Sequence, residues 1–337
     1  MPIPVLLRPD NFTPPTRTPW GGRRILERYK PELTPIRVVG ESWEISVEPD
    51  FPSVATDGRP LSTHLEADPE GWLGAGSMDL LVKLLDAGDE LSVQIHPSDD
   101  YAGLGPGEGG KPESWYVLDA EPGAGLYLGF RTGVERGDVE AALDAGADLS
   151  SLLYFVPVAP GDQFVIGAGT AHAIGRGVTL VEPQRVSAGR RGLTYRYWDW
   201  NRRYDAQGRR DPSGTPRALH VQDALAVTRW EGPREQALLA EIRLRAGVPA
   251  VNGPATLEPL AGADGPVRFE PLSVQRLTGS GTLELQAAGH LRGLTVVAGT
   301  VQIDGVHVQR GRSAVIPASY SGTAQLDAAC ALLTAAP

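Results

Sequence analysis

Short runs of alternating apolar and polar positions are the strongest signal along this chain. "GESWEISV" (40–47), "LLVKLLDA" (80–87), "ELSVQIHP" (90–97), "SWYVLDA" (114–120), "GLYLGF" (125–130), "DQFVIGAG" (162–169) and "GVTLVEPQ" (177–184) are short, β-branched, aromatic or leucine-rich, and bounded by Gly, Pro or Asp. Such runs predict strands, and their regular spacing predicts an antiparallel sandwich or barrel rather than alternating βα units. Helical pieces are few: 60–74, 136–154 (long enough for two short helices) and 218–228. "RRYDAQGRRDPSGTPR" (202–217) is a polar Gly/Pro loop. From about 231 small apolar strands alternate with Gly turns and no long helix is expected. The chain therefore reads as two β units, 1–230 with the helical insertions and a smaller one at 231–337.

Composition excludes whole classes of function. The 337 residues are 41% hydrophobic and 21% charged, with no apolar run long enough to cross a bilayer. A formal net charge of −10 argues against nucleic acid and anionic membranes as partners. The single cysteine, Cys330, fits a reducing cytoplasm and leaves any metal to His, carboxylate or amide ligands. "MPIPVLLRPDNFTPPTRTPW" lacks a basic leader, a sustained apolar core and a small-residue cleavage site, so no signal peptide is expected. Positive charge is uneven: Arg185, Arg190, Arg191, Arg196, Arg202, Arg203, Arg209, Arg210 and Arg217 crowd one stretch. That zone suits a small anion such as a phosphate ester; for most of these arginines a solvated loop is the plainer reading. Lys30, Lys83 and Lys111 are the only lysines, and an amine, unlike a guanidinium, can be tuned to lose its proton.

The candidate chemistry sits on the strands. Residues i and i+2 of a strand share a face, so Gln94 and His96 point the same way, opposite Val93 and Ile95. Lys111 and Glu113 repeat the spacing at the entrance to the next strand, and His172 follows the Gly-rich turn of "VIGAGTAHAIG". If these segments line one barrel mouth, Gln94, His96, Glu113 and His172 converge on one cation. Two imidazoles, a carboxylate and an amide oxygen suit Zn²⁺, with Mn²⁺, Co²⁺ or Fe²⁺ also compatible. Taken singly, each is as well read as a hydrogen-bonded core polar group or a surface carboxylate. His64, His220, His290 and His307 occupy helical or turn contexts with no partner pattern. No phosphate-cradling loop or nucleophile elbow is present.

"TPWGGRRI", "GESWEIS", "LLVKLLDAGDELSVQIHPSDDYA", "GKPESWYVL", "GAGTAHAIG" and "TYRYWDWNR", spanning roughly 18 to 202 in this order, resemble the type I mannose-6-phosphate isomerases of the short bacterial kind, which are zinc-dependent cupins. The resemblance implies a cupin-type antiparallel jelly-roll barrel with a second, smaller cupin-like domain lacking metal ligands. It implies one zinc per chain on Gln94, His96, Glu113 and His172, Arg196 as the active-site arginine, and Lys111 as the proton carrier. The reaction it implies interconverts mannose 6-phosphate and fructose 6-phosphate through a cis-enediol. The negative charge that builds on oxygen needs a cation and a fixed guanidinium, and the base needs a pKa near working pH. Burial and a neighbouring cation would disfavour the ammonium of Lys111; a metal-bound water or Glu44 is the competing base, with Glu44 otherwise a substrate contact.

The chain also departs from the family's pattern. Gly110 stands where longer members carry a histidine implicated in ring opening, and Ser187, Ala188 and Gly189 precede the arginine segment without the usual acid. Arg190 and Arg191 could compensate on the phosphate side. The expected partner is a small phosphorylated sugar, and the expected assembly a monomer or homodimer. The competing readings are a sugar-phosphate-binding metallo-cupin without turnover or of altered specificity, and an Fe²⁺ cupin dioxygenase, which the amide ligand and the neighbouring lysine disfavour.

Overall fold

The computed structural model describes residues 1–33 and 38–337. Its mainly β architecture is the one the alternation predicts. A five-stranded sheet runs in the order Tyr195–Trp198, Val93–Ile95, His172–Ile174, Gly125–Phe130, Leu153–Pro157. A six-stranded sheet runs Arg243–Arg245, Asp162–Ile166, Glu113–Ala120, Val178–Arg185, Leu80–Asp86, Glu41–Ile45. Pairing within both is antiparallel. Between the sheets, Leu85, Trp115, Val117, Phe164 and Leu180 meet Leu126, Leu128, Val156 and Ile174 in one apolar cluster. Leu80–Asp86 is buried along its whole length, because its other face is covered too. There Ile45, Leu80, Val82 and Leu84 pack with Val274, Val297 and Leu332 of the C-terminal sheet.

That third sheet is built on the long strands Ser273–Leu285, Arg292–Ile303 and Gly322–Ala335. Gly293 lies where the C-terminal sheet packs closely on Ile45; a Cβ there would sit 2.4 Å from Ile45 Cδ1. Strands cross the change of texture at 231 in both directions. Val5–Leu6 pairs with Ser313–Ile316, and Arg243–Arg245 pairs with Asp162–Ile166.

The helices follow local chemistry. The helical pattern over 60–74 resolves into Leu61–Ala67 and Pro69–Leu73. Pro69 disfavours helical backbone at Asp68, and the Asp68 carboxylate then caps the second helix by accepting the Gly71 N–H at 3.0 Å. The stretch 136–154 becomes the helix Arg136–Asp144, a 3₁₀ turn Leu149–Leu152 and the start of a strand. The 218–228 helix spans Val221–Val227, and an unanticipated one, Glu235–Ile242, leads into Arg243–Arg245. No helix among the described residues is long and apolar enough to cross a membrane.

Candidate metal centre and active-site cleft

His172 pairs with Gln94 across two antiparallel strands, and Gln94 pairs on its other side with Arg196. Directly opposed residues share a face, so His172, Gln94 and Arg196 form a row across the five-stranded sheet. Glu113 comes from the facing sheet, where it opens its strand beside Gln184. His96, just beyond Val93–Ile95, closes the group. His96 Nε2 lies 3.1 Å from Glu113 Oε1 and His172 Nε2 lies 3.8 Å from Glu113 Oε2. One ligand atom from each of the three lies within 4.8 Å of the others, all fully buried.

The hydrogen bonds fix the imidazole tautomers. His96 Nδ1 is 2.8 Å from the Leu193 carbonyl and His172 Nδ1 is 2.8 Å from the Thr170 carbonyl. A carbonyl only accepts, so both protons are on Nδ1 and both Nε2 atoms present lone pairs to Glu113. Burial pushes both imidazoles down, His172 to about 3, so neither is protonated at neutral pH. His96 Nε2, His172 Nε2 and Glu113 Oε2 have no hydrogen-bond partner. Three buried acceptors aimed at one another are unfavourable unless a cation lies among them. The donor set and its backbone-oriented histidines fit a divalent metal.

Lys111 Nζ is 2.8 Å from Glu113 Oε1, and Gln184 Nε2 donates to the same oxygen at 2.6 Å. Burial pushes the Glu113 carboxyl up, yet the Lys111 ammonium outweighs this and holds it well below the usual carboxylate range. The same contact acts in turn on the Lys111 ammonium. Burial pushes it down, but the Glu113 carboxylate outweighs this and leaves it raised.

A cleft of about 1110 Å³ opens beside this centre, lined by Gln94, Lys111, Glu182, Gln184, Arg190, Arg191 and Arg196. Arg196 is tied to the wall through Ser92 Oγ at 3.1 Å and the Ala218 carbonyl at 2.7 Å. Burial and Arg217 push its guanidinium down to about 10. Arg190 and Arg191 are exposed on the rim, Arg191 paired with Glu108 at 2.8 Å.

Glu44 is not in the cleft. It faces the C-terminal sheet, in a buried ion pair with Lys30, and accepts from Ser42 Oγ at 2.6 Å and Ser313 Oγ at 3.0 Å. The strand Glu41–Ile45 turns Glu41 and Trp43 toward the cleft instead, and strand alternation sends Glu44 to the other side. The missing side chain at Gly110 has a steric reason: a Cβ there would sit 2.7 Å from the Pro97 carbonyl oxygen.

Several cleft residues escaped the sequence reading. Glu182 and Gln184 are an i, i+2 polar pair on an apolar strand, the same signal as Gln94 and His96. Trp115 Nε1 donates to Glu182 at 2.9 Å, and burial and the nearby Glu113 push Glu182 up to about 8, so it is largely a neutral acid at pH 7. Lys83 pairs with Glu182 across the strands, its ammonium 4.3 Å above the Trp43 ring. His220 gave no signal; it reaches the cleft only because the 202–217 loop returns the chain to Arg196.

No family profile matches the chain. The "Mannose-6-phosphate isomerase" of Streptococcus mutans is 32% identical over 311 residues, 88% of each chain. The chain belongs to the mannose-6-phosphate isomerase family. "Mannose-6-phosphate isomerase ManA" of Bacillus subtilis is 33% identical over 62% of this chain and 64% of its own. A crystal structure of the mannose 6-phosphate isomerase from Bacillus subtilis shares the fold with a TM-score of 0.77 at 24% identity, covering 99% of this chain and 100% of that one. The Salmonella typhimurium mannose 6-phosphate isomerase, described as bound to substrate and a zinc atom, aligns with a TM-score of 0.65 at 16% identity over 98% of each chain.

Proposed function

We propose that the protein is a metal-dependent aldose–ketose isomerase that interconverts mannose 6-phosphate and fructose 6-phosphate. The observation that carries this reading is the pair of buried imidazole Nε2 lone pairs facing Glu113, with Lys111 on the same carboxylate, in a chain of this family. Gln94, His96, Glu113 and His172 are the residues to hold the metal, taken as zinc with manganese or cobalt as substitutes. A divalent ion there supplies Lewis-acid stabilisation of the charge that builds on the C1 and C2 oxygens.

The chain's own groups do the rest. Lys111 Nζ moves the proton between C1 and C2. When Glu113 serves as a ligand, the attraction that keeps Lys111 protonated is withdrawn, and burial then favours the free amine. Arg196, fixed at Ser92 and Ala218, holds a positive charge beside the developing oxyanion. Glu182, neutral at pH 7, donates a hydrogen bond to a sugar oxygen. Arg190 and Arg191 meet the phosphate at the rim. The division into a catalytic unit at 1–230 and a supporting one at 231–337, a monomeric or dimeric state and a cytoplasmic setting complete the reading.

The test is turnover of mannose 6-phosphate by the purified protein, with fructose 6-phosphate formation coupled to a reporter and zinc, manganese or cobalt supplied. Absence of turnover with every metal sinks the isomerase, and retained sugar-phosphate binding then favours a non-catalytic metallo-cupin.

A further inference from the structure

The row His172, Gln94, Arg196 is continued by a fourth residue, His220, which stands outside any strand. Its backbone N–H donates to the Arg196 carbonyl at 2.8 Å, and the Arg196 N–H donates back to its Nδ1 at 3.2 Å. The imidazole thus accepts the bond that a further strand would have accepted. A ring nitrogen that accepts a backbone N–H carries no proton, so in neutral His220 the proton is on Nε2. Burial and the Arg196 guanidinium both push His220 down; Asp223 alone pulls it the other way. His220 and Asp223 both line the cleft.

From this geometry we infer that His220 is a substrate-binding residue that donates its Nε2–H to the phosphate group. Adjacent strands lie about 4.8 Å apart, so His220 sits about three such spacings along the row from His172. If the reacting carbons lie at the His96–Glu113–His172 end, as the proposed function has it, the opposite end of an extended sugar phosphate reaches His220. Arg217 lines the same cleft and is already held by Asp199 at 2.7 and 2.8 Å. A neutral donor adds to the phosphate contacts of Arg190 and Arg191 in this cleft without adding repulsion among the cations.

Two isosteric substitutions separate this role from that of a strand-edge cap. His220→Asn places an amide oxygen near the position of Nδ1, keeping the bond from Arg196 and deleting the Nε2 donor. His220→Gln places an amide N–H near the position of Nε2 and loses the edge bond. In His220→Asn, KM for mannose 6-phosphate and the Kd of inorganic phosphate by calorimetry rise together by about 10-fold, the scale of one hydrogen bond to a charged group, while kcat and metal content stay within about 2-fold of the unaltered protein. His220→Gln recovers most of the loss. An Asn variant that behaves as the unaltered protein beside an impaired Gln variant overturns the inference in favour of the edge cap, and a fall in kcat with unchanged phosphate binding overturns it too. Phosphate binding needs no turnover. A protein without isomerase activity whose phosphate affinity still falls in His220→Asn would keep this contact and discard the isomerase reading.

Discussion

Lys111→Met deletes the amine that contacts Glu113 while keeping the length of the side chain. Lys111 Nζ is 2.8 Å from Glu113 Oε1, so the substitution has a catalytic and an electrostatic consequence. Positioned acid–base groups contribute roughly 10²- to 10⁴-fold, and kcat for mannose 6-phosphate falls by that range. Without metal, the variant leaves the Glu113 carboxylate buried and without its cation, a change that costs about 3–5 kcal/mol when one partner of a buried pair is removed. With zinc bound, the metal supplies the counter-charge and most of that cost disappears. The assay is a matched set: coupled turnover, zinc content by elemental analysis, and thermal melts in zinc and in EDTA. Turnover within 10-fold of the unaltered protein would refute Lys111 as proton carrier. Zinc lost along with activity would make Lys111 part of the metal scaffold. Equal destabilisation in zinc and EDTA would show that Glu113 is not a ligand.

His96→Ala is expected to lose zinc and turnover together; substantial residual activity by the same coupled assay argues against the centre itself. Glu44→Gln leaves Lys30 buried opposite a neutral amide and lowers stability by about 3–5 kcal/mol in urea melts, with kcat and KM unchanged below the transition; a raised KM instead returns Glu44 to the cleft. The folded-state value of Glu182, about 8, lies above the ordinary 4.5, so the folded protein binds this proton more tightly than the unfolded chain does. Its contribution to stability is fully present below pH 4.5 and is lost as pH rises through about 8. The metal-free Glu182→Gln variant should therefore have a melting temperature that depends less on pH between 4.5 and 8, and an unchanged slope contradicts the assignment. Gly110→Ala forces a methyl group against the Pro97 carbonyl and should destabilise by about 1–3 kcal/mol, measured as a lowered urea midpoint.

The order of residues was enough to place the strands and the polar positions of the metal site. Alternation puts i and i+2 on one face whatever the tertiary context, so Gln94 with His96 and Lys111 with Glu113 were legible as pairs. The same rule applied to "VEPQ" would have found Glu182 and Gln184. It could not say which face of "GESWEIS" met the cleft, because that strand is covered on both sides; packing against Ser313 and Lys30 decided that Glu44 points away. Nor could spacing reveal His220, which acts through a bond to a backbone 24 residues earlier, across a loop whose path local pattern does not encode. The protonation of Lys111 was likewise a tertiary decision. Burial alone would have lowered it, but a carboxylate at 2.8 Å in a weakly screening interior outweighs desolvation, and where that carboxylate sits depends on how the facing sheets close.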